Sequence, residues 1–512
     1  MIVQLIRNSL RNRRALFNQT EFFQNATMMT SSNESHPNIL LITTDEQTFD
    51  TLGCNGNDTI RTPNLDRIAT EGINFQSHSC SNPICTPARV SLLTGQYSRT
   101  HGAYTVGVDY DTDTQVLPHW LGDAGYLSCL VGKAHFEPQL SKHVENRPEG
   151  ASYTGFSEAY LTEDNQIGPY LAWVQREHPE LYDEVRRNSH EDDTDTWGIQ
   201  DGKLRAAYKS TLPEDVHPTT WITDRSIDFI RKCKKGNAPF FLWTSYVDPH
   251  HPFNPVEPYA SMYDPEELPD FVPDIGAHGG PTSPTGKTIG SSGYNDGRDL
   301  SPAEIQRIRA LYYGMISQID TQVGRLIDEL ETTDILEETI VIFTSDHGDY
   351  NGNRKMVRKL AGLYDDVLRV PLLIRAPCSV NPGNLYSGLT QHEDLPPTIL
   401  DLIGLEIPDS VQGISFKEAL VDQGWEGRPY SYFEFYTGDV APAVGIRKGE
   451  WKLIHYDRGE KWVLTNTLKD PYEMENLIDR LEYKNVVLEL RDVLEEWQEK
   501  YPARRLPRHY SY

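Results

Sequence analysis

The sequence predicts an α/β fold in which a mixed sheet is flanked by helices, followed by a small C-terminal α+β domain. Two observations predict this class. From Pro37 onward, short apolar runs alternate with helix-length segments, which is the pattern of a parallel or mixed sheet covered by helices. After about residue 425, the apolar runs become shorter and more closely spaced. We therefore expect a disordered extension over 1–36, a main domain over 37–425 and a C-terminal domain over 426–512.

Four apolar runs are predicted to be buried strands of the main sheet: Asn38–Thr44, Tyr126–Gly132, Pro239–Val247 and Thr339–Ser345. Each is followed by side chains with ligand or acid–base chemistry. These are Asp45 and Glu46, then Lys133 and His135, then Asp248, His250 and His251, and finally Asp346 and His347. In open α/β sheets, ligands bind outside the carboxyl ends of the strands. The four strand ends therefore predict one shared crevice.

A long helix is predicted to begin after Ser301. Ser301 is a suitable N-cap, Pro302 takes the first helical position and Glu304 completes a capping box. Apolar residues then recur at helical spacing as far as Leu330, which gives the helix one apolar face. The preceding segment, 269–298, is rich in Gly, Pro and Ser and is expected to be a long loop.

Two further regions are interpreted from their composition and from the spacing of their apolar residues. Residues 156–215 contain acidic clusters and scattered aromatic residues without a clear period, so we expect an insertion near the crevice rather than a domain. In the C-terminal region, short strands and one helix are predicted. The strands are expected at 430–436, 443–447, 451–456 and 462–465, and the helix at 484–500.

Composition excludes several classes of function. The chain has 48 Lys and Arg against 75 Asp and Glu, a formal charge of −27, which argues against a binder of nucleic acid or of anionic membranes. No apolar stretch approaches the roughly 18 residues that a membrane span needs. The six cysteines show no paired CxxC spacing, so neither a disulfide scaffold nor a structural zinc site is expected. Arg7 interrupts the apolar run near the start, so no secretory signal is recognised and a cytoplasmic location is expected; a transit peptide is the alternative.

The pairs at two strand ends predict a metal site. Asp45, Glu46, Asp346 and His347 offer three carboxylates and an imidazole, and hard divalent ions prefer such clustered oxygen ligands. The alternative for each pair alone is structural: Asp45 would cap a following helix, and His347 would be an ordinary loop histidine. Because both pairs follow apolar strands, the metal interpretation is favoured.

A second group of candidates surrounds Cys85. A lone cysteine is usually a small buried apolar residue. A phosphatase of the CxxxxxR kind is excluded, since residue 91 is Ser. Elsewhere, four side chains are able to neutralise a tetrahedral anion or protonate a leaving group, although lysines are more often solvated surface groups. They are Lys133, His135, His250 and Lys359.

The run CTPAR at 85–89 resembles the C-x-P-x-R signature of the sulfatase family, in which the cysteine is converted to formylglycine. Other segments resemble the family in the same order along the chain. They are TTDEQ, TPNLDRIATEG, CTPARVSLLTG, GKAH, DPHHPF, SDHGD, LYDDVLRVPLLIRAP, GIRKGEWKLIHY and DPYEMENL. The resemblance spans about residues 37–480. It implies an alkaline-phosphatase-like core, which agrees with the pattern, and makes 37–425 the catalytic sulfatase domain.

The resemblance also implies a role for each candidate residue. The metal ligands would be Asp45, Glu46, Asp346 and His347, with the modified Cys85 completing the shell. Arg89 and Lys133 would stabilise the nucleophile, while His135, His250 and Lys359 would bind the sulfate oxygens, one of them also serving the leaving oxygen. In the family mechanism, one hydroxyl of the hydrated aldehyde at residue 85 attacks sulfur while the metal polarises the ester. The second hydroxyl then expels sulfate and restores the aldehyde.

The implied cofactors are one divalent ion and the formylglycine that a formylglycine-generating enzyme makes from Cys85. Calcium is expected, with manganese or magnesium as alternatives, because Glu46 and His347 stand where many family members have other residues. The implied substrate is a sulfated small molecule or carbohydrate. Two other functions stay open: a phosphonate or phosphate ester hydrolase of the same superfamily, and a silent sulfatase-like binding protein. Clustered carboxylates disfavour the silent protein, since they repel one another without a metal.

Overall fold

A computed structural model gives the architecture of most of the chain. It describes residues 36–110, 113–136, 146–164, 166–188, 199–200, 203–204, 206–272, 300–359, 362–379, 381–422, 424–436, 442–456 and 461–504. Residues 1–35 of the predicted extension and most of the loop predicted over 269–298 lie outside these ranges.

The described residues form sixteen strands in four sheets. The strands are β1 Asn38–Thr44, β2 Ile73–Phe75, β3 His78–Ser79, β4 Leu127–Gly132, β5 Glu158–Leu161, β6 Ile199–Gln200, β7 Lys203–Leu204, β8 Phe240–Ser245, β9 Thr339–Ser345, β10 Leu372–Arg375, β11 Asn384–Tyr386, β12 Thr390–Gln391, β13 Ser431–Phe435, β14 Ala443–Lys448, β15 Trp451–Tyr456 and β16 Lys461–Asn466. Eight of them make the main sheet, in the order β11-β2-β10-β9-β1-β8-β4-β5. β1 is central and parallel to both β9 and β8, and β4 is parallel to β8. β10 runs antiparallel to β9, so the sheet is mixed as predicted.

Helices cover both faces of this sheet. The α-helices in the described residues are α1 Pro63–Glu71, α2 Cys85–Thr94, α3 Ser98–His101, α4 Leu117–Asp123, α5 Pro169–Glu177, α6 Tyr182–Asn188, α7 Pro218–Gly236, α8 Pro302–Thr332, α9 Asp365–Leu368, α10 Leu395–Leu402, α11 Lys417–Val421 and α12 Lys484–Lys500. α8 begins as predicted, with Ser301 as N-cap and Glu304 closing the capping box. None of the helices in the described residues is both long and apolar enough to cross a membrane.

The central strand contributes to two cores, one on each face of the sheet. Ile39 and Leu41 belong to the core that includes α2 and α10, whereas Leu40 and Ile42 belong to the core that includes α7 and α8. Because β1 is buried on both faces, its sequence is a continuous apolar run rather than an alternating one. This is why its bounds, and those of β9, match the prediction residue for residue.

One expectation for the main sheet was wrong in part. Residues 156–215 do not form a mere insertion, because Glu158–Leu161 pairs in parallel with β4 as the edge strand β5. This strand is only four residues long and buries alternate side chains. A short edge strand with one covered face lacks the continuous apolar run that marks the central strands.

The C-terminal region forms an antiparallel sheet in the order β13-β14-β15-β16, with α12 packed against it. The predicted strands and helix of this region agree with the observed ones within a residue or two at each end. Leu490, Leu494 and Trp497 of α12 share one core with Ile446 and Leu453 of the sheet. This is the small α+β unit that the sequence predicts.

Candidate active site

The carboxyl ends of β1 and β9 place Asp45 and Asp346 side by side. Thr44 is in register with Ser345, and the Asp346 backbone N–H donates to the Thr44 carbonyl over 3.1 Å. The Glu46 N–H donates to Asp346 Oδ1 over 3.2 Å. Both carboxylates are fully buried. The parallel register therefore brings together two acids that are 301 residues (346 − 45) apart in the chain.

Asp45, Asp346, His347 and Cys85 form one cluster of potential ligand atoms, all within 4.8 Å of one another. His347 Nε2 lies 3.8 Å from Asp45 Oδ1, 3.7 Å from Asp346 Oδ1 and 3.2 Å from Cys85 Sγ. We call these four residues the ligand cluster. His347 Nδ1 lies 3.0 Å from the Gly348 carbonyl, so it carries the proton and leaves the Nε2 lone pair facing the carboxylates. Oxygen donors and an accepting imidazole in one buried group fit a divalent metal ion.

Arg89 contacts two carboxylates of the ligand cluster and residues at the ends of the central strands. Its Nε donates to Asp346 Oδ2 over 2.8 Å, and its Nη2 lies 3.4 Å from Asp45 Oδ2. Its Nη1 donates to Ser245 Oγ over 2.7 Å and to the Lys133 carbonyl over 3.1 Å. Arg89 therefore contacts residues at the ends of β9, β1, β8 and β4, and its own side chain is fully buried.

Lys133 adds a second buried cation beside Asp45. Its Nζ contacts one oxygen of Asp45 and one oxygen of Asp164. Burial alone would raise the pKa of Asp45, but the charges of Lys133, His250 and Arg89 hold that pKa well below its ordinary value. Asp45 is therefore ionised at neutral pH, as a metal ligand must be.

Glu46 lies beside the ligand cluster rather than within it. It has a positive φ of 66°, and its carboxylate contacts Lys359 Nζ. Glu46 Oε1 is 3.9 Å from His250 Nε2, and Oε2 is 3.6 Å from His251 Nδ1. Burial raises the pKa of Glu46, but Lys359 and the nearby imidazoles outweigh it and lower the pKa to about 2. The predicted ligand Glu46 thus belongs to a neighbouring group with His250 and His251.

Cys85 lies where the two groups meet. It is the first residue of α2, whose ten residues are all buried, and its Sγ accepts a hydrogen bond from Lys359 Nζ over 2.9 Å. Burial and the charge of Asp45 raise the pKa of the Cys85 thiol well above its ordinary value. An unmodified thiol here stays protonated at neutral pH and is a poor nucleophile.

His135 is held close to Lys133 with its imidazole unengaged. It has a positive φ of 55°, and its backbone N–H donates to Glu163 Oε1 over 3.1 Å. Both ring nitrogens are buried and make no hydrogen bond within the described part of the chain. Burial lowers the pKa of His135 well below its ordinary value, so the ring is neutral. Within the described residues, the two buried ring nitrogens therefore have hydrogen-bonding capacity that a further group could use.

The structure brings all the predicted site residues into one region and adds three that the sequence analysis did not assign to the site: Glu163, Asp164 and His251. Burial and the charge of Asp164 raise the pKa of Glu163 to about 7. His251 was noted at its strand end without a role. Glu163 and Asp164 follow the missed strand β5, whose four residues form no continuous apolar run, so the sequence offers no comparable signal for them.

Most of the chain matches models of known protein families. Residues 37–405 match the family model described as Sulfatase, and residues 358–500 match that of the N-sulphoglucosamine sulphohydrolase C-terminal region. The chain is similar to the arylsulfatase of Clostridium perfringens, at 32% identity over 480 residues, covering 90% of this chain and 93% of that protein. It is also similar to the N-acetylglucosamine-6-O-sulfatase of Bacteroides thetaiotaomicron, at 26% identity, covering 91% and 87%.

Solved structures show the same fold. The phosphonate monoester hydrolase of Agrobacterium radiobacter superposes with a TM-score of 0.75 at 28% identity, covering 91% of this chain and 96% of that one. A structure in complex with D-glucosamine-2-N,6-O-disulfate superposes with a TM-score of 0.70 at 24% identity, covering 91% and 98%. With the family model matching 37–405 and a 32% identical arylsulfatase aligned over nearly its whole length, the chain belongs to the sulfatase family.

Proposed function

We propose that this protein hydrolyses sulfate monoesters to an alcohol and inorganic sulfate. The observation that carries the proposal is the position of Cys85, which has the ligand cluster on one side and Lys359 on the other. A reaction at residue 85 would therefore take place between a metal site and a group of cations and imidazoles. That arrangement suits an ester whose non-bridging oxygens are negatively charged.

The proposed metal ion would be held by Asp45, Asp346 and His347, with residue 85 as the fourth ligand. When bound, it would polarise the sulfuryl oxygens and favour the ionised form of the attacking group. The oxygen ligands are those that calcium prefers, while the imidazole of His347 makes manganese or magnesium a reasonable alternative. Arg89 then serves to orient two of the ligands, because its guanidinium donates to Asp346 and lies beside Asp45.

The proposed nucleophile is formylglycine formed from Cys85. As a hydrated aldehyde it would supply a hydroxyl for attack, which the protonated Cys85 thiol cannot do efficiently. Lys133 and Lys359 would neutralise the oxygens of the sulfuryl group, and the neutral ring of His135 would bind it by hydrogen bonds. His250 would serve the leaving oxygen, since its Nε2 lies 3.9 Å from Glu46 Oε1, the carboxylate oxygen that Lys359 Nζ contacts.

The proposed substrate class is a sulfated carbohydrate. This part of the proposal is supported by the relative named N-acetylglucosamine-6-O-sulfatase, which aligns over 91% of this chain. The alternative substrate is a phosphonate monoester. It is favoured by one observation, the structural similarity to the Agrobacterium radiobacter phosphonate monoester hydrolase.

Assays of the purified protein test both the sulfate-ester and the phosphonate-ester proposals. The protein should be produced with a formylglycine-generating enzyme and assayed with 4-nitrophenyl sulfate, glucosamine 6-sulfate and 4-nitrophenyl phenylphosphonate. We expect the higher kcat/KM on the sulfate esters, and mass spectrometry of the peptide containing residue 85 should show the aldehyde. Higher kcat/KM on the phosphonate would make the alternative the main function, and full activity with an unmodified Cys85 would rule out the mechanism.

A further inference from the structure

Asp164 is a buried carboxylate at the site that no role in the proposed reaction yet explains. It lies three residues after β5, where the Thr162 N–H donates to the Gly132 carbonyl over 3.1 Å at the end of β4. This contact continues the pairing of β5 with β4 and brings Asp164 beside Lys133. The side chain of Asp164 is only 3% exposed.

Two catalytic candidates meet at this carboxylate. Asp164 Oδ1 contacts Lys133 Nζ, and Asp164 Oδ2 lies 3.7 Å from His250 Nε2. Lys133 comes from the end of β4, whereas His250 lies in the loop that follows β8. Asp164 therefore contacts side chains that follow both of these strands.

A second carboxylate, that of Glu46, also lies near His250. Glu46 contacts Lys359 and has an oxygen 3.9 Å from His250 Nε2. The imidazole nitrogen therefore lies 3.7 Å from one carboxylate and 3.9 Å from another, and each carboxylate contacts one of the two lysines. Buried ions are retained only with partners, so each carboxylate restricts its lysine and the shared histidine to one arrangement.

We infer that Asp164 is a positioning residue of the sulfate-ester reaction, which holds Lys133 against the sulfuryl oxygens and keeps His250 directed at the leaving oxygen. The inference rests on the proposed function. It gives Asp164 a place in the reaction without contact to the substrate. It also explains why an acid is present in a site that must bind an anion, since the charge of Asp164 is matched by Lys133.

A purely structural role leads to a different expectation. If Asp164 served only to neutralise Lys133 in the folded protein, its loss would lower the activity on all substrates by the same factor. If Asp164 directs His250 to the leaving oxygen, its loss should matter most for esters whose leaving group needs a proton. Alkyl and sugar sulfates have such poor leaving groups, whereas 4-nitrophenolate departs without one.

The test compares Asp164→Asn with Glu163→Gln as the matched control. Glu163 is the neighbouring buried acid, but it accepts a hydrogen bond from the His135 backbone N–H instead. Each variant is assayed with 4-nitrophenyl sulfate, phenyl sulfate and an alkyl sulfate. Metal content, aldehyde content at residue 85 and melting temperature are measured on the same samples, so that rates are compared per mature, metal-loaded enzyme.

We expect Asp164→Asn to lose about 10–100-fold in kcat/KM on the alkyl sulfate, the usual range for a residue that orients an active-site group, and clearly less on 4-nitrophenyl sulfate. Glu163→Gln should change all three esters by one common factor, and Asp164→Glu should recover part of the loss. Equal losses on all three esters for Asp164→Asn, or no loss, would overturn the inference while the proposed function stands. A wild-type enzyme that turns over none of the sulfates would overturn both.

Discussion

Two regions of this molecule bury groups of opposite charges, and they do so in different ways. One is the active site at the carboxyl ends of β1, β4, β8 and β9. The other is the interface between the main domain and the C-terminal sheet, where Lys452 of β15 meets Asp365 of α9 and Glu473. Most of the charged side chains in both regions are buried, and a buried charge needs a partner.

At the interface, every carboxylate oxygen has a partner. Lys452 Nζ lies 2.7 Å from Asp365 Oδ1 and 2.5 Å from Glu473 Oε1. Arg447 Nη1 is 3.2 Å from Asp365 Oδ2, and the Asp365 backbone N–H donates to Glu473 Oε2 over 2.7 Å. The network is complete without any further molecule.

At the active site, several buried polar atoms make no hydrogen bond within the residues that the structure describes. They are Glu46 Oε2, both side-chain atoms of Gln47 and both ring nitrogens of His135. Such groups cost folding free energy, and native proteins rarely retain them without a functional reason. The interface network is therefore satisfied by its own side chains, whereas the active site contains polar atoms that a bound ligand could partner. Single substitutions in the two regions should therefore affect stability and activity differently.

The largest expected effect comes from Asp346→Asn, which removes a charged ligand from the cluster. Turnover should fall on the order of 10³-fold or more, since metal polarisation contributes several kcal/mol to the reaction. Metal content after dialysis should fall with it. Asp349→Asn is the control, because burial and the charge of Glu46 raise the pKa of Asp349 to about 8 and an amide resembles its neutral form. Equal metal content in wild type and Asp346→Asn would contradict the ligand assignment.

The next effect is that of Lys359→Ala, which removes the cation that contacts both Glu46 and Cys85. Loss of one such group costs about 2.7–4 kcal/mol of transition-state stabilisation, or roughly 10²–10³-fold in kcat. Steady-state kinetics with 4-nitrophenyl sulfate measure it. The half-buried Lys355 lies on the same segment, and Lys355→Ala should keep the wild-type rate. A normal rate for Lys359→Ala would remove it from the anion site.

Lys452→Met tests the other region, because it leaves Asp365 and Glu473 buried with one cation fewer. Breaking a buried ion pair from one side costs about 3 kcal/mol in the free energy of unfolding. Urea denaturation should show this loss, whereas kcat/KM below the transition should change little. Lys448→Met breaks an exposed pair with Glu489 instead and should leave the denaturation midpoint unchanged. If Lys452→Met were as stable as wild type, the interface network would not be a stabilising one.

The smallest expected effect is a loss of folding stability at low pH. Burial lowers the pKa of His101 from 6.5 to about 3, so the unfolded chain binds a proton at this residue between those values while the folded chain does not. Stability should therefore fall as pH drops below 6.5, by roughly 2 kcal/mol for this residue at pH 5. The ion pairs of the interface are lost at lower pH than this. The charges of Lys452 and Arg447 outweigh burial and lower the pKa of Asp365, so its contribution to stability is lost only below about pH 4.

Urea denaturation at pH 7 and pH 5 checks this order. His101→Gln should lower the stability at pH 7, because the ring bonds to Ser91 and to the Ala103 backbone are altered, but it should reduce the loss between pH 7 and pH 5. An unchanged pH dependence in His101→Gln would assign the acid sensitivity to other buried histidines.

The central strands were predictable because they are buried on both faces and their ends carry unusual side chains. Asp164 was not predictable in this way, since β5 is a four-residue edge strand that resembles a loop in sequence. Nor could the sequence separate Asp45 from Glu46. They are adjacent acids, yet a positive φ at Glu46 accompanies the placement of its carboxylate with Lys359 rather than in the ligand cluster. The metal and nucleophile roles themselves stay predictions until they are measured.

The burial of Cys85 also limits when, during synthesis of the chain, the thiol is accessible. His347 and Lys359, which contact the Cys85 sulfur, are encoded more than 260 residues after it. At a synthesis rate of about 5–20 residues per second, residue 85 leaves the ribosome roughly 13–52 s before they do. During that interval nothing from the last third of the chain can cover the thiol. The proposed modification of Cys85 would therefore be made during synthesis, because the cysteine is buried once the strand ends have come together.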